Sequence, residues 1–266
     1  MTRRFVTLAW AAAAATYLLI ILGAIVRITG SGLGCGEHWP LCNGSLLPPL
    51  DLPTMIEYGH RLAAAAVTVL VVALAVVGSR ESGRPVRASY LALVLLIVQI
   101  ALGAITVKLA LPAWTVILHL GTAMLILAAL LVAARPAPAP GTPGLRPGLV
   151  AAVLGFVTVL LGALTANMGA AGACTGFPLC NGQIMPSGAL AHIQWTHRLF
   201  AYGLTAYLLW WVWKTRAPGA RHSLYLVLVQ VGVAAAMVLL GLPPALQALH
   251  VAVGAGVWAG LVLAAR

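Results

Sequence analysis

Eight apolar runs, each long enough to cross a bilayer, fill most of this 266-residue chain and leave few folds open to it. They cover about 5 to 28, 54 to 78, 89 to 109, 114 to 134, 148 to 168, 191 to 213, 223 to 241 and 245 to 265. A spanning helix takes roughly 20 mostly apolar residues, because in lipid each main-chain N–H and C=O has to be satisfied within the segment. With 62% hydrophobic and 7% charged residues, the chain cannot build a water-soluble surface. The expected fold is therefore an all-α integral membrane protein with eight transmembrane helices. The first run follows Arg3 and Arg4 as a secretory signal would, but it is too long and continues into Arg27 without a small-residue cleavage site. It is read as the first span.

A net charge of +11 raises the question of nucleic acid, and the placement of the charges answers it. Eleven of the fifteen Lys and Arg residues fall in one set of loops and ends: Arg3, Arg4, Arg80, Arg84, Arg87, Arg135, Arg146, Lys214, Arg216, Arg221 and Arg266. The positive-inside rule makes that side cytoplasmic, so no nucleic-acid partner is expected and lipid is the surrounding medium. Both termini then lie inside a cell (plasma) membrane that the chain crosses several times. The segments 29 to 53, 110 to 113, 169 to 190 and 242 to 244 face outward.

The chain also repeats. Trp39-Pro40-Leu41-Cys42-Asn43-Gly44 returns as Phe177-Pro178-Leu179-Cys180-Asn181-Gly182, at an offset of 138. Gly59-His60-Arg61-Leu62 returns as Thr196-His197-Arg198-Leu199, and Leu118-His119 as Leu249-His250, at offsets of 137 and 131. Near-constant spacing marks an internal duplication. It divides the chain into a four-helix half over 1–134, a cytoplasmic Pro-rich linker over 135–147 and a second four-helix half over 148–266, the halves forming two pseudo-symmetric bundles.

Four of the seven histidines, His60, His119, His197 and His250, stand at matched places some five or six residues into the even-numbered helices. All even helices start from the outer side, so the four imidazoles share a depth of roughly 7 to 10 Å at 1.5 Å per residue. Two such histidines in each half can clamp a planar metal macrocycle such as haem from its two faces. A single membrane histidine more often hydrogen-bonds a neighbouring helix. Four at repeat-related positions favour ligation, since ionisable groups in a membrane are rare and usually functional. No Cys-x-x-Cys-His is present, so a covalent haem is not expected.

Four cations, Arg27, Arg61, Lys108 and Arg198, break the positive-inside pattern at the outer helix ends. Cations at that level can pair with haem propionates; alternatively they snorkel to lipid headgroups, a reading that weighs most for Lys108. The cysteines form two outer pairs, Cys35 with Cys42 and Cys174 with Cys180, where an oxidising compartment allows disulfides. A staple is the expected role of the second pair. For the first pair, a staple and a redox role both stay open. Glu57 stands three residues before His60, and its repeat counterpart is Gln194. Either residue can complete a capping box with the helix start, but only the acid can move protons. The acid-bearing half is accordingly expected to be the catalytic one.

Taken together, Gly23-Ala24-Ile25-Val26-Arg27-Ile28-Thr29-Gly30-Ser31-Gly32, Trp39-Pro40-Leu41-Cys42, Glu57-Tyr58-Gly59-His60-Arg61, His119, Trp195-Thr196-His197-Arg198 and His250 resemble the haem A synthase family over nearly the whole chain. The resemblance implies oxidation of a ring methyl of haem O to a formyl group through hydroxylated intermediates, with water as the oxygen source and an unnamed electron acceptor. It further implies that His60 and His119 hold the substrate haem, that His197 and His250 hold a resident haem b, and that Glu57 serves as catalytic acid or base. Haem O synthase would be a partner, and a homo-oligomer is compatible with the pattern. The reading from another class is a non-catalytic dihaem electron-transfer cytochrome, for which the four histidines suffice. A transporter fits less well, because its coupling sites belong near the midplane.

Overall fold

The computed structural model describes residues 1–46, 48–135 and 145–265. Among them run eight α-helices: α1 (Arg3–Ile28), α2 (Leu52–Gly78), α3 (Arg84–Lys108), α4 (Ala113–Ala133), α5 (Leu145–Asn167), α6 (Ala189–Thr215), α7 (Pro218–Leu239) and α8 (Pro244–Ala264). A short 3-10 turn at Ala170–Gly172 follows α5. Seven helices are long and apolar enough to cross a membrane. The other, α6, has 27 residues, and His192, Gln194, His197 and Arg198 in its first three turns make it more polar.

Local chemistry sets the helix ends. Asp51 caps α2, its carboxylate accepting the Thr54 N–H at 3.1 Å, and Pro53 supplies a preset φ in the first turn. Hydrogen bonds from Thr54 hold the Asp51 carboxyl below its ordinary pKa. Of the two readings of Glu57, the capping box is not the one seen: Asp51 does the capping and leaves Glu57 for other use. The α3–α4 connection is closed by the Leu111 N–H reaching back to the Thr106 carbonyl at 2.9 Å, and the α7–α8 connection by Leu242 to Met237 at 2.8 Å. Leu111 and Leu242 both take positive φ, and a proline follows each, which ends one helix and starts the next within a few residues.

The chain forms two compact units, Met1–Ala137 and Pro138–Arg266. In the first, α1 packs on α2 and α4, and α3 on α4 and α2, so the helices form a ring in which α2 and α4 stand diagonally opposite. In the second, α5 packs on α6 and α8, and α7 on α6 and α8, which sets α6 opposite α8. Residues 136–144 of the expected linker lie outside the described residues, and α5 begins at Leu145, taking in Arg146 and Pro147.

Within each unit the tightly packed core lies toward one end. In α4 the run of buried apolar residues begins at Met124; in α8 every buried residue lies from Ala255 onward, and in α7 none lies beyond Val227. The ends of α4 and α8 that carry His119 and His250 therefore contribute little to the core.

Candidate functional site

His60 is the ninth residue of α2 and His197 the ninth of α6, whereas His119 and His250 are the seventh residues of α4 and α8. The shared depth of five or six residues is corrected accordingly: the Asp51 cap and Gly188 start α2 and α6 ahead of their apolar runs. The pairing across each ring is as the diagonal placement requires. His119 lies within electrostatic reach of His60, and His250 within reach of His197.

Each ring rests in a space that neighbouring residues leave open. A Cβ on Gly23 of α1 would stand 3.2 Å from Cε1 of His60, one on Gly103 of α3 3.3 Å from Cε1 of His119, and one on Gly162 of α5 2.9 Å from Cε1 of His197. Three glycines thus admit three imidazoles against helix backbones. His197 Nδ1 lies 3.0 Å from the Thr158 carbonyl oxygen, a bond that places the ring proton on Nδ1 and leaves the Nε2 lone pair free for a metal. Gln99 directs its amide to His119 Nε2 at 3.1 Å, and Gln230 its amide to both ring nitrogens of His250, at 3.1 and 3.2 Å. The buried Nδ1 atoms of His60 and His119 have no hydrogen-bond partner, nor do the Oε1 atoms of Gln99 and Gln230. Buried polar atoms without partners in a thinly packed region suit a ligand-binding space.

Among the described residues no group of three or more His, Cys, Asp or Glu side chains is placed to hold a metal ion. A histidine pair alone could hold a metal whose remaining ligands come from a bound group such as a macrocycle. Two imidazoles on diagonally placed helices, in the second unit with the His197 tautomer set by a main-chain carbonyl, would suit holding a haem iron.

The two cysteine loops are built alike. Cys35 and Cys42 form one disulfide, Cys174 and Cys180 the other. A cis peptide precedes Pro40 and Pro178, and Asn43-Gly44 and Asn181-Gly182 turn the chain with positive φ at all four residues. Each loop is fastened to the following helix by two side chains. Glu57 accepts the Cys35 N–H at 2.8 Å, and its other oxygen takes Arg61 Nη2 at 2.6 Å. Arg61 Nη1 donates to the carbonyls of His38 and Leu41, at 2.9 and 2.8 Å. In the second unit Gln194 accepts the Cys174 N–H at 2.6 Å, and Arg198 donates to the carbonyls of Gly176, Leu179 and Cys174 at 2.6, 3.0 and 2.9 Å. Arg61 and Arg198 thus direct most of their donors to the loops. Arg27 and Lys108, in the last turns of α1 and α3, make no side-chain hydrogen bond or ion pair among the described residues.

Sequence reasoning missed Gln99, Gln230, Thr158, Gly103 and Gly162, and gave Gly23 a place in a motif but not its role beside His60. The offset of 131 between Gln99 and Gln230, the same as between His119 and His250, was the one available signal.

The family model of the cytochrome oxidase assembly proteins (COX15-CtaA) matches residues 6–262. The chain is 34% identical over 270 aligned positions to a protein of Symbiobacterium thermophilum named Heme A synthase, covering 91% of this chain and 88% of that one. A Bacillus licheniformis protein of the same name is 40% identical over 121 positions, and that match takes in 44% of this chain and 40% of the relative, less than half its length. A Haloarcula marismortui protein named Protoheme IX farnesyltransferase is 45% identical over 109 positions, 39% of this chain and 22% of that one. The chain belongs to the cytochrome oxidase assembly protein family, and it is a multi-pass membrane protein.

Proposed function

We propose that the chain is a haem A synthase: an oxidoreductase that converts a ring methyl of haem O to a formyl group, through hydroxylated intermediates and with water as the oxygen source. The observation that carries this reading is the pair of opposed histidines in each unit together with the single buried acid, Glu57, three residues from His60 and 3% exposed. The relatives named Heme A synthase support it.

The first half, 1–134, is the substrate half. His60 and His119 bind the haem O iron from either face, and the glycines against their rings keep that position open. Each oxidation step releases protons and electrons, and Glu57 is the base that takes a proton at its carboxylate. Arg61 and the Cys35 N–H fix that carboxylate in place. The second half, 148–266, holds haem b between His197 and His250, and a bound haem b supplies one-electron redox chemistry. Arg27 and Lys108, with free donors at the same helix ends, are the cations for the substrate propionates, while Arg61 and Arg198 act mainly through the loops. The two halves are pseudo-symmetric bundles of eight membrane helices in all, α6 included, with both termini on the cytoplasmic side of the plasma membrane. An electron acceptor is required. The partial match to a farnesyltransferase supports haem O synthase as the supplier of substrate.

The deciding experiment supplies purified protein with haem O and extracts its pigments. Formation of haem A supports the reading. Unchanged haem O, with two haem spectra retained, would leave the dihaem electron-transfer cytochrome in its place.

A further inference from the structure

The two clusters that fasten the cysteine loops differ by one charge. In the first, the Arg61 guanidinium pairs with the Glu57 carboxylate at 2.6 Å, so the cluster is neutral. In the second, Gln194 stands where Glu57 does, and its amide turns to the Ala171 carbonyl at 3.0 Å. Arg198, 7% exposed, has three main-chain carbonyls and no ion pair among the described residues. No acid elsewhere in its unit can serve, because all four acidic residues of the chain, Glu37, Asp51, Glu57 and Glu81, lie in the first unit.

Carbonyl dipoles solvate a guanidinium but do not cancel its charge, and a buried charge without a counter-ion is costly. An anion bound nearby removes that cost and is held the more firmly for it, since the effective dielectric constant is low. The neutral pair in the first unit offers no such gain. We infer that Glu57 and Gln194 each tune how firmly their own unit keeps a carboxylate-bearing ligand: leaving Arg198 unneutralised strengthens the second unit's hold on its haem, and neutralising Arg61 limits the first unit's hold to what Arg27 and Lys108 supply, so that it can release one. This rests on the reading that each histidine pair holds a haem. It gives Glu57 a second use, since an oxidised product has to leave the site in which it forms.

The test loads the purified full-length protein with haem b in detergent and follows its transfer to excess apomyoglobin by visible absorbance. The unaltered protein should give a fast and a slow fraction, and His60→Ala should remove the fast one. Gln194→Glu, which puts a carboxylate beside Arg198, should speed the slow fraction at least tenfold. Gln194→Met, which removes the amide without adding charge, should change it only a few fold. Glu57→Gln should convert the fast fraction to a slow one. If Gln194→Met released haem as readily as Gln194→Glu, support of the loop and not charge would be the cause, and the inference would be overturned. A slow fraction unmoved by Gln194→Glu would overturn it as well. Failure of the underlying reading looks different: the unaltered protein would then show no separable fractions, or the fast one would survive His60→Ala.

Discussion

The Glu57 carboxylate binds the main-chain N–H of Cys35 at 2.8 Å, linking the disulfide loop to the helix turn that leads to His60. Gln194 binds Cys174 at 2.6 Å in the same manner. An amide at this place therefore supports a loop of this kind, and Glu57→Gln separates loop support from proton transfer. The variant should fold and keep its second-half haem near normal. Haem O conversion, normalised to bound haem b, should fall by about 10² to 10⁴. Conversion within a few fold of the parent would reduce Glu57 to a loop fastener.

Ligation is tested by the histidines themselves. His197→Ala and His250→Ala should each abolish or strongly alter the resident low-spin haem spectrum, because a six-coordinate iron loses an axial ligand. His60→Ala and His119→Ala should spare that spectrum and remove substrate turnover. A resident spectrum unchanged in both second-half variants would refute the assignment.

A methyl group on Gly162 is a finer probe. It would lie 2.9 Å from His197 Cε1, and the ring has little freedom to retreat while Nδ1 is bonded to the Thr158 carbonyl. Gly162→Ala should shift the resident haem spectrum or lower its occupancy severalfold. Gly232→Ala on α7, where a Cβ would meet nothing within 4 Å, should leave both unchanged. Equal spectra in the two variants would argue against the described seating of His197.

Orientation is best read from exposed loop positions, since the native cysteines are buried in disulfides. Leu46 and Met185 are 74% and 81% exposed. A membrane-impermeant thiol reagent should label Leu46→Cys and Met185→Cys in intact cells. Labelling only after the cytoplasmic side is opened would reverse the topology drawn from the Lys and Arg positions.

Much of this was legible in the sequence, for identifiable reasons. Apolar run lengths reveal membrane helices because lipid leaves few alternatives, and a duplicated pattern reveals which histidines correspond. The cysteine pairs announce themselves by sharing a loop. What stayed hidden depends on which helix faces meet. A glycine in an apolar run looks the same whether open space lies beside it, as at Gly232, or it seats an imidazole, as Gly162 does. Gln99 and Gln230 gain meaning only once α3 meets α4 and α7 meets α8. The capping alternative for Glu57 arose because Thr54 and Glu57 have capping-box spacing, while the cap observed, Asp51, lies three residues farther upstream.

The ring arrangement of each unit bears on how its parts come together. Four helices in sequence order make two hairpins, α1 with α2 and α3 with α4, that meet along the α1–α4 and α2–α3 contacts. His60 belongs to one hairpin and His119 to the other, on the two helices that face each other across the ring. A group bound by both histidines spans that seam, at the end where the apolar core is thin. Its affinity for the closed ring then adds to the ring's own stability, as any ligand that binds only the assembled state must. The second unit, with His197 and His250 divided between the α5–α6 and α7–α8 hairpins, is built to the same rule. A haem held permanently there would be a structural member of the unit, and a passing one in the first unit would brace its two hairpins only for as long as it stayed.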